Sequence, residues 1–266
     1  MKKTFLALAL VAVCALQAQA ALTSTTLHSP IKSGNPGGLD DLISQTDCLA
    51  GKIPTVLPGD MGWHSANTDP ADQLPAFTDG TGMRPTGLTG LLNDFPPPGQ
   101  PAKLVDYDMT GTMCNAIGVG AINIFTSNNE DGRIFSTTVV KYSMDGGLNY
   151  TLLGYFQSDP SGTINAAGHP QSIGQKATMV SIHDDAGGVI IPAGVTNIEF
   201  NLYAADNSQG QTRDPFDGVN PFTGVDDGLT APITSPLVME LDVIAIPEPA
   251  SLMLLALGGL AVLRRR

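Results

Sequence analysis

Between Thr23 and Pro236 several short stretches carry apolar residues at every second position, and none convincingly shows the spacing of three to four that an amphipathic helix needs. That feature excludes a helical bundle and a βαβ enzyme, because both must bury the apolar stripe of their helices. Residues 103–109 alternate, as do 121–125. Residues 133–142 are β-branched and aromatic, and they run into the turn Asp145-Gly146-Gly147. Residues 148–156 and 176–183 read as further strands, 195–203 alternates again, and 236–246 closes the series. Turn signals fall about every ten residues, and 30 glycines with 20 prolines supply them. The expected fold class is all-β, a β-sandwich of the jelly-roll kind. An apolar content of 42% is enough to fill the space between two sheets.

The two ends of the chain have a different character. Lys2-Lys3, the apolar stretch 4–16 and Ala18-Gln19-Ala20 form a charged region, an apolar region and a small-x-small cleavage site. This predicts a secretory signal peptide over 1–20, cut after Ala20, as a signal helix. Cys14 follows Val13 where lipidation needs a small residue, so a lipoprotein signal is not expected. Residues 21–44 are expected to be a mobile lead-in, rich in Ser, Thr, Gly and Pro. The sandwich is expected over 45–246, with a loop-rich stretch at 57–101 ending in Pro96-Pro97-Pro98-Gly99. At the far end, the apolar stretch 250–263 would reach about 21 Å as a helix, short of the roughly 30 Å hydrocarbon core of a bilayer. Arg264, Arg265 and Arg266 behind it would stay on the cytoplasmic side. Pro247 and Pro249 flank Glu248 and keep that stretch extended and open to a protease.

Pro247-Glu248-Pro249, an apolar segment containing Gly258-Gly259 and a terminal arginine cluster, in that order, resemble the PEP-CTERM sorting signal of Gram-negative bacteria. The resemblance covers 247–266 and implies transient inner-membrane insertion through a short C-terminal hydrophobic helix. An exosortase then cuts near the motif, and the product goes to the cell surface or the extracellular matrix. The plainer reading is a short C-terminal anchor with an incidental proline turn.

Processing at both ends would remove five of the 13 basic residues and one of the 25 acids, leaving about 16 net negative charges on the body. Such a surface repels nucleic-acid phosphates and anionic headgroups, so nucleic acid is not an expected partner. With Cys14 removed, Cys48 and Cys114 remain, an even pair for an oxidising compartment. They are a disulfide candidate, the alternative being two buried thiols.

A second likeness covers the body. Leu49-Ala50-Gly51-Lys52-Ile53-Pro54 with Phe77-Thr78-Asp79-Gly80 resembles the opening of a discoidin-like, galactose-binding-like jelly roll. Residues 139–150 are similar to that family's central strand, hairpin turn and return strand, 195–203 to its penultimate strand and 239–244 to its closing strand. Tyr150 stands where the family commonly has Trp. The resemblance implies non-catalytic binding of carbohydrate, lipid headgroups or protein through end loops. It also implies a structural calcium held by Asp79 and Glu240, a chemistry that suits hard oxygen donors. The alternative is an ordinary turn at Asp79 and a solvated Glu240.

Catalytic patterns are weak. A glycosidase needs two carboxylates about 5 to 9.5 Å apart across a cleft, and the body offers only Glu130, Glu199 and Glu240 beside many Asp-Gly turns. His28, His64, His169 and His183 lack zinc-ligand spacing. Ser29-Pro30-Ile31-Lys32 matches SxxK only where proline breaks the helix that motif requires. Trp63, in a polar loop beside His64 and Ser65, is the one aromatic singled out as a ligand contact; the tyrosines at alternating strand positions fit core or sheet edge. The expected function is therefore non-enzymatic binding of a glycan or surface partner. The alternatives are a structural exopolysaccharide or biofilm matrix protein without a ligand site and, third, a secreted polysaccharide-active hydrolase.

Overall fold

A computed structural model describes residues 22–128, 132–162, 164, 174–206 and 212–246. The signal-peptide expectation, including Ala18 and Ala20, and the tail residues 247–266 lie outside the described residues, as do Glu130 and His169.

Two antiparallel sheets form the body. The strands are β1 (Leu22–Ser29), β2 (Thr55–Val56), β3 (Lys103–Asp108), β4 (Val119–Ser127), β5 (Thr137–Ser143), β6 (Thr151–Gln157), β7 (Ala177–Asp184), β8 (Asn197–Tyr203) and β9 (Val238–Ala245), with one short helix, α1 (Met113–Ile117). The four-stranded sheet has the order β1-β7-β4-β9 and the five-stranded sheet the order β2-β3-β8-β5-β6. Apart from the β5–β6 hairpin, each step from β3 to β9 crosses from one sheet to the other. That pattern is compatible with a jelly roll.

Period-two alternation builds the core. Ile122, Ile124, Val180, Ile182, Leu241 and Val243 of one sheet face Val105, Tyr107, Val140, Ile198, Phe200 and Leu202 of the other. Tyr107 meets Phe200 edge to face at 6.0 Å. The outer faces are covered too. Phe125, Met179 and Met239 are buried under Ile43, Met83, Leu91 and Leu237. On the five-stranded sheet, Phe216 packs on Tyr203 at 5.9 Å and Phe222 stacks flat on Tyr155 at 5.3 Å. The acidic stretch 212–227 is therefore a cover over a sheet face.

Three local readings differ from the sequence expectation. Residues 22–29, placed in a lead-in without periodicity, form β1 and pair with β7 over their whole length. An edge strand needs only backbone partners, so its Thr and Ser residues carry little apolar pattern. Strand β5 starts at Thr137, not 133, because Arg133 holds a left-handed backbone (φ 62°). Strand β6 starts at Thr151, not 148, because Asp145 Oδ1 accepts from Asn149 N at 2.9 Å and closes the turn. Leu22 pairs with Asp184, and Ala245 with Val119, so β1 starts and β9 finishes at the same end of the sheet.

Candidate functional site

The C-terminal strand organises the first site. Residues 240 and 242 share the outer face of β9, opposite Leu241 and Val243, so the strand's own period carries Glu240 and Asp242 beneath the 43–49 loop. Asp242 Oδ2 accepts from Ser44 N at 2.9 Å, Asp47 Oδ1 from Val243 N at 3.3 Å, and Cys48 N donates to Val243 O at 2.7 Å. This loop covers the free edge of β9. Cys48 and Cys114 are joined in a disulfide with a Cα–Cα distance of 6.1 Å, tying the loop to α1.

Glu240 is completely buried, and its Oε2 accepts from Gly80 N at 2.9 Å. Its Oε1 has no hydrogen-bond partner, and neither have Asp242 Oδ1 and Asp47 Oδ2. Burial, followed by the nearby charges of Asp242, Asp79 and Asp47, outweighs the Gly80 bond and raises the Glu240 carboxyl to about 9. Burial likewise raises Asp242 to about 7 and pushes Asp47 up. Asp79 is differently placed. Its Oδ1 accepts from Thr81 N at 2.9 Å and from Thr81 Oγ1 at 2.6 Å, while Oδ2 lies 3.6 Å from Arg84 Nη1. Among the described residues no three His, Cys, Asp or Glu side chains are grouped as a metal cage. Glu240 is thus left with one bare buried oxygen that lacks a positive partner. Asp79 has none to spare, because its two oxygens are already engaged.

A second feature lies beside the aromatic cover. A cleft of about 400 Å³ opens between 157–162 and 212–227, lined by Gln157, Asp159, Ser161, Arg213, Asp214 and Asp227 among others. Its walls are braced: Asp214 Oδ2 accepts from Asn220 Nδ2 at 2.6 Å, and Arg213 Nη1 donates to Thr230 Oγ1 at 3.0 Å. Phe222, next to the lining residue Thr223, is 37% exposed and leaves apolar surface at the rim.

Trp63 is half-buried and packed on Phe77 at 5.5 Å, with Lys103 Nζ 4.1 Å from its ring centroid. That lysine is 1% exposed and paired with Asp60 at 2.9 Å. These contacts occupy Trp63 in packing and a cation–π contact, away from the cleft's lining. Sequence reading did not single out Asp47, Asp242 or Asp206. The last is buried, accepts Arg133 N at 2.7 Å, and is raised to about 7 by burial. The spacing of Glu240 and Asp242 on one strand face was the available signal for Asp242; the two loop aspartates had none.

After Ala245 the chain continues as Ile246-Pro247-Glu248-Pro249. The family model of the PEP-CTERM protein-sorting motif matches residues 245–266. The chain carries a PEP-CTERM sorting signal. The PEP-CTERM motif makes it an exported exosortase target with a cell-surface or extracellular destination. Among the described residues no helix is long and apolar enough to cross a membrane. No curated protein and no solved structure matches the chain, so no comparison shows the discoidin-like resemblance of its body.

Proposed function

We propose that the exported body is a non-catalytic binding module that takes a glycan in the cleft between 157–162 and 212–227. The observation that supports this is the cleft itself, about 400 Å³ and lined by carboxylate, amide, hydroxyl and guanidinium groups. Sugar hydroxyls donate and accept at once, and that mixture of groups meets both needs. The exposed side of Phe222 suits the apolar face of a sugar ring. Titration of an oligosaccharide panel against the full chain in detergent tests the reading. Gln157→Ala with Asp227→Ala should weaken the best binder by about tenfold, roughly 1.4 kcal/mol, at unchanged thermal stability. Equal affinity in that variant, or self-association with a silent panel, favours a matrix protein without a ligand site; turnover of a polysaccharide favours a hydrolase.

A structural calcium at Glu240 belongs to the same reading, on the strength of its unpartnered buried oxygen. Sorting has its own test. Pro247→Ala with Pro249→Ala should leave uncut precursor in the membrane fraction, whereas normal maturation of that variant contradicts exosortase recognition at this motif.

A further inference from the structure

The fold and the sorting signal share residues. The motif match begins at Ala245, which is the last residue of β9 and pairs with Val119. Ile246 N donates to Gly118 O at 3.3 Å. Its side chain lies over Gly120, where an added Cβ would stand 3.1 Å from Ile246 Cγ1. Pro247 follows directly. Between this tethered residue and the apolar stretch that starts at Ala250 there are three residues, which can span at most about 10 Å. A protease that binds extended substrate on both sides of its cut therefore meets residues that the sheet also holds.

The strand has a weak end and a firm stop. Val243 is completely buried, with its N–H donated to Asp47 and its C=O accepting from Cys48, beside the disulfide. Beyond it Ile244, Ala245 and Ile246 are only half-buried. Their pairing with β4 is irregular: Ala121 pairs with Ile244 and Val119 with Ala245, leaving Gly120 as a bulge. Gly118 and Gly120 add no side chain to grip the end.

We propose that residues 244–246 are a detachable strand end. They peel from β4 and enter the exosortase with the motif, and the clamped Val243 is where peeling stops. This doubles the free substrate from three residues to six, about 20 Å, which the enzyme binds as an added strand. Openings of this kind belong to the low end of local stability. The sorting signal thus extends upstream into the fold, and the disulfide sets its boundary.

The test uses the full chain in cells that carry the exosortase. Inserting Gly-Ser-Gly-Ser-Ile-Ala-Ile between Ile246 and Pro247 supplies an unpaired copy of residues 244–246 ahead of the motif. Pulse-chase should show processing about tenfold faster, because no peeling is needed. An unchanged or slower rate overturns the proposal. Hydrogen exchange on the uninserted full chain in detergent gives a second readout that is independent of the enzyme. The amides of 244–246 should exchange at least about tenfold faster than those of Val243 and Cys48; equal protection also overturns it.

Discussion

Serine at both Cys48 and Cys114 lowers the unfolding free energy by about 4 kcal/mol and the melting temperature by about 10 °C. The bridge spans a sequence separation of 66 residues, and restricting so long a loop in the unfolded chain is the main source of the effect. Both sulfurs are buried, and the bridge holds the loop that supplies hydrogen bonds to the free edge of β9. Loss of the bridge therefore loosens that edge as well as freeing the unfolded chain. Denaturant unfolding of the wild type, the reduced wild type and the double serine variant measures it. A loss below about 1 kcal/mol would show that the clamp contributes little.

With chelator present, the melting temperature falls by about 10 °C as the pH is raised from about 5 to about 9. Burial raises Glu240 from 4.5 to about 9, and Asp242 and Asp206 from 3.8 to about 7. A carboxyl whose folded pKa lies above its unfolded value is favoured by the fold in its protonated form. That contribution is fully present below the unfolded pKa and is lost as pH climbs through the folded one. The window therefore opens just above 4 and closes near 9, with a loss on the order of 3 kcal/mol after relaxation and water entry. Glu240→Gln imitates the protonated acid and should flatten about half of the slope, above all the part beyond about pH 7 where Asp242 and Asp206 are already ionised. Calcium at about pH 8 should restore stability to the wild type and not to that variant, because a cation supplies the charge the ionised carboxylate lacks. A flat profile in chelator contradicts the burial argument; a steep profile that calcium leaves unchanged contradicts calcium alone.

Alternation made most of the sandwich legible. β3, β4 and β8 lie within a few residues of the stretches whose apolar residues recur at period two, and β7 and β9 lie within other stretches read as strands. β1 was hidden because an edge strand such as LTSTTLHS is held by backbone pairing and buries little. Two-residue β2 is below the length at which alternation means anything. The start of β5 depended on Arg133, whose guanidinium makes two 2.8 Å bonds to Asp94, far away in the chain. The same limit governs the site. Glu240 and Asp242 share a face by strand period, whereas the burial of Asp47 and Asp206 depends on which loop closes over which strand. The cleft is also a product of tertiary packing, since its two walls are about fifty residues apart.

Sorting by exosortase should leave an acidic β-sandwich outside the cell with its C-terminal handle removed. The intact mass of the cell-surface or secreted product tests it most directly. The expected product begins at Ala21 and ends near the Pro247-Glu248-Pro249 motif, with or without an added group. A product that still carries Arg264, Arg265 and Arg266 would contradict it.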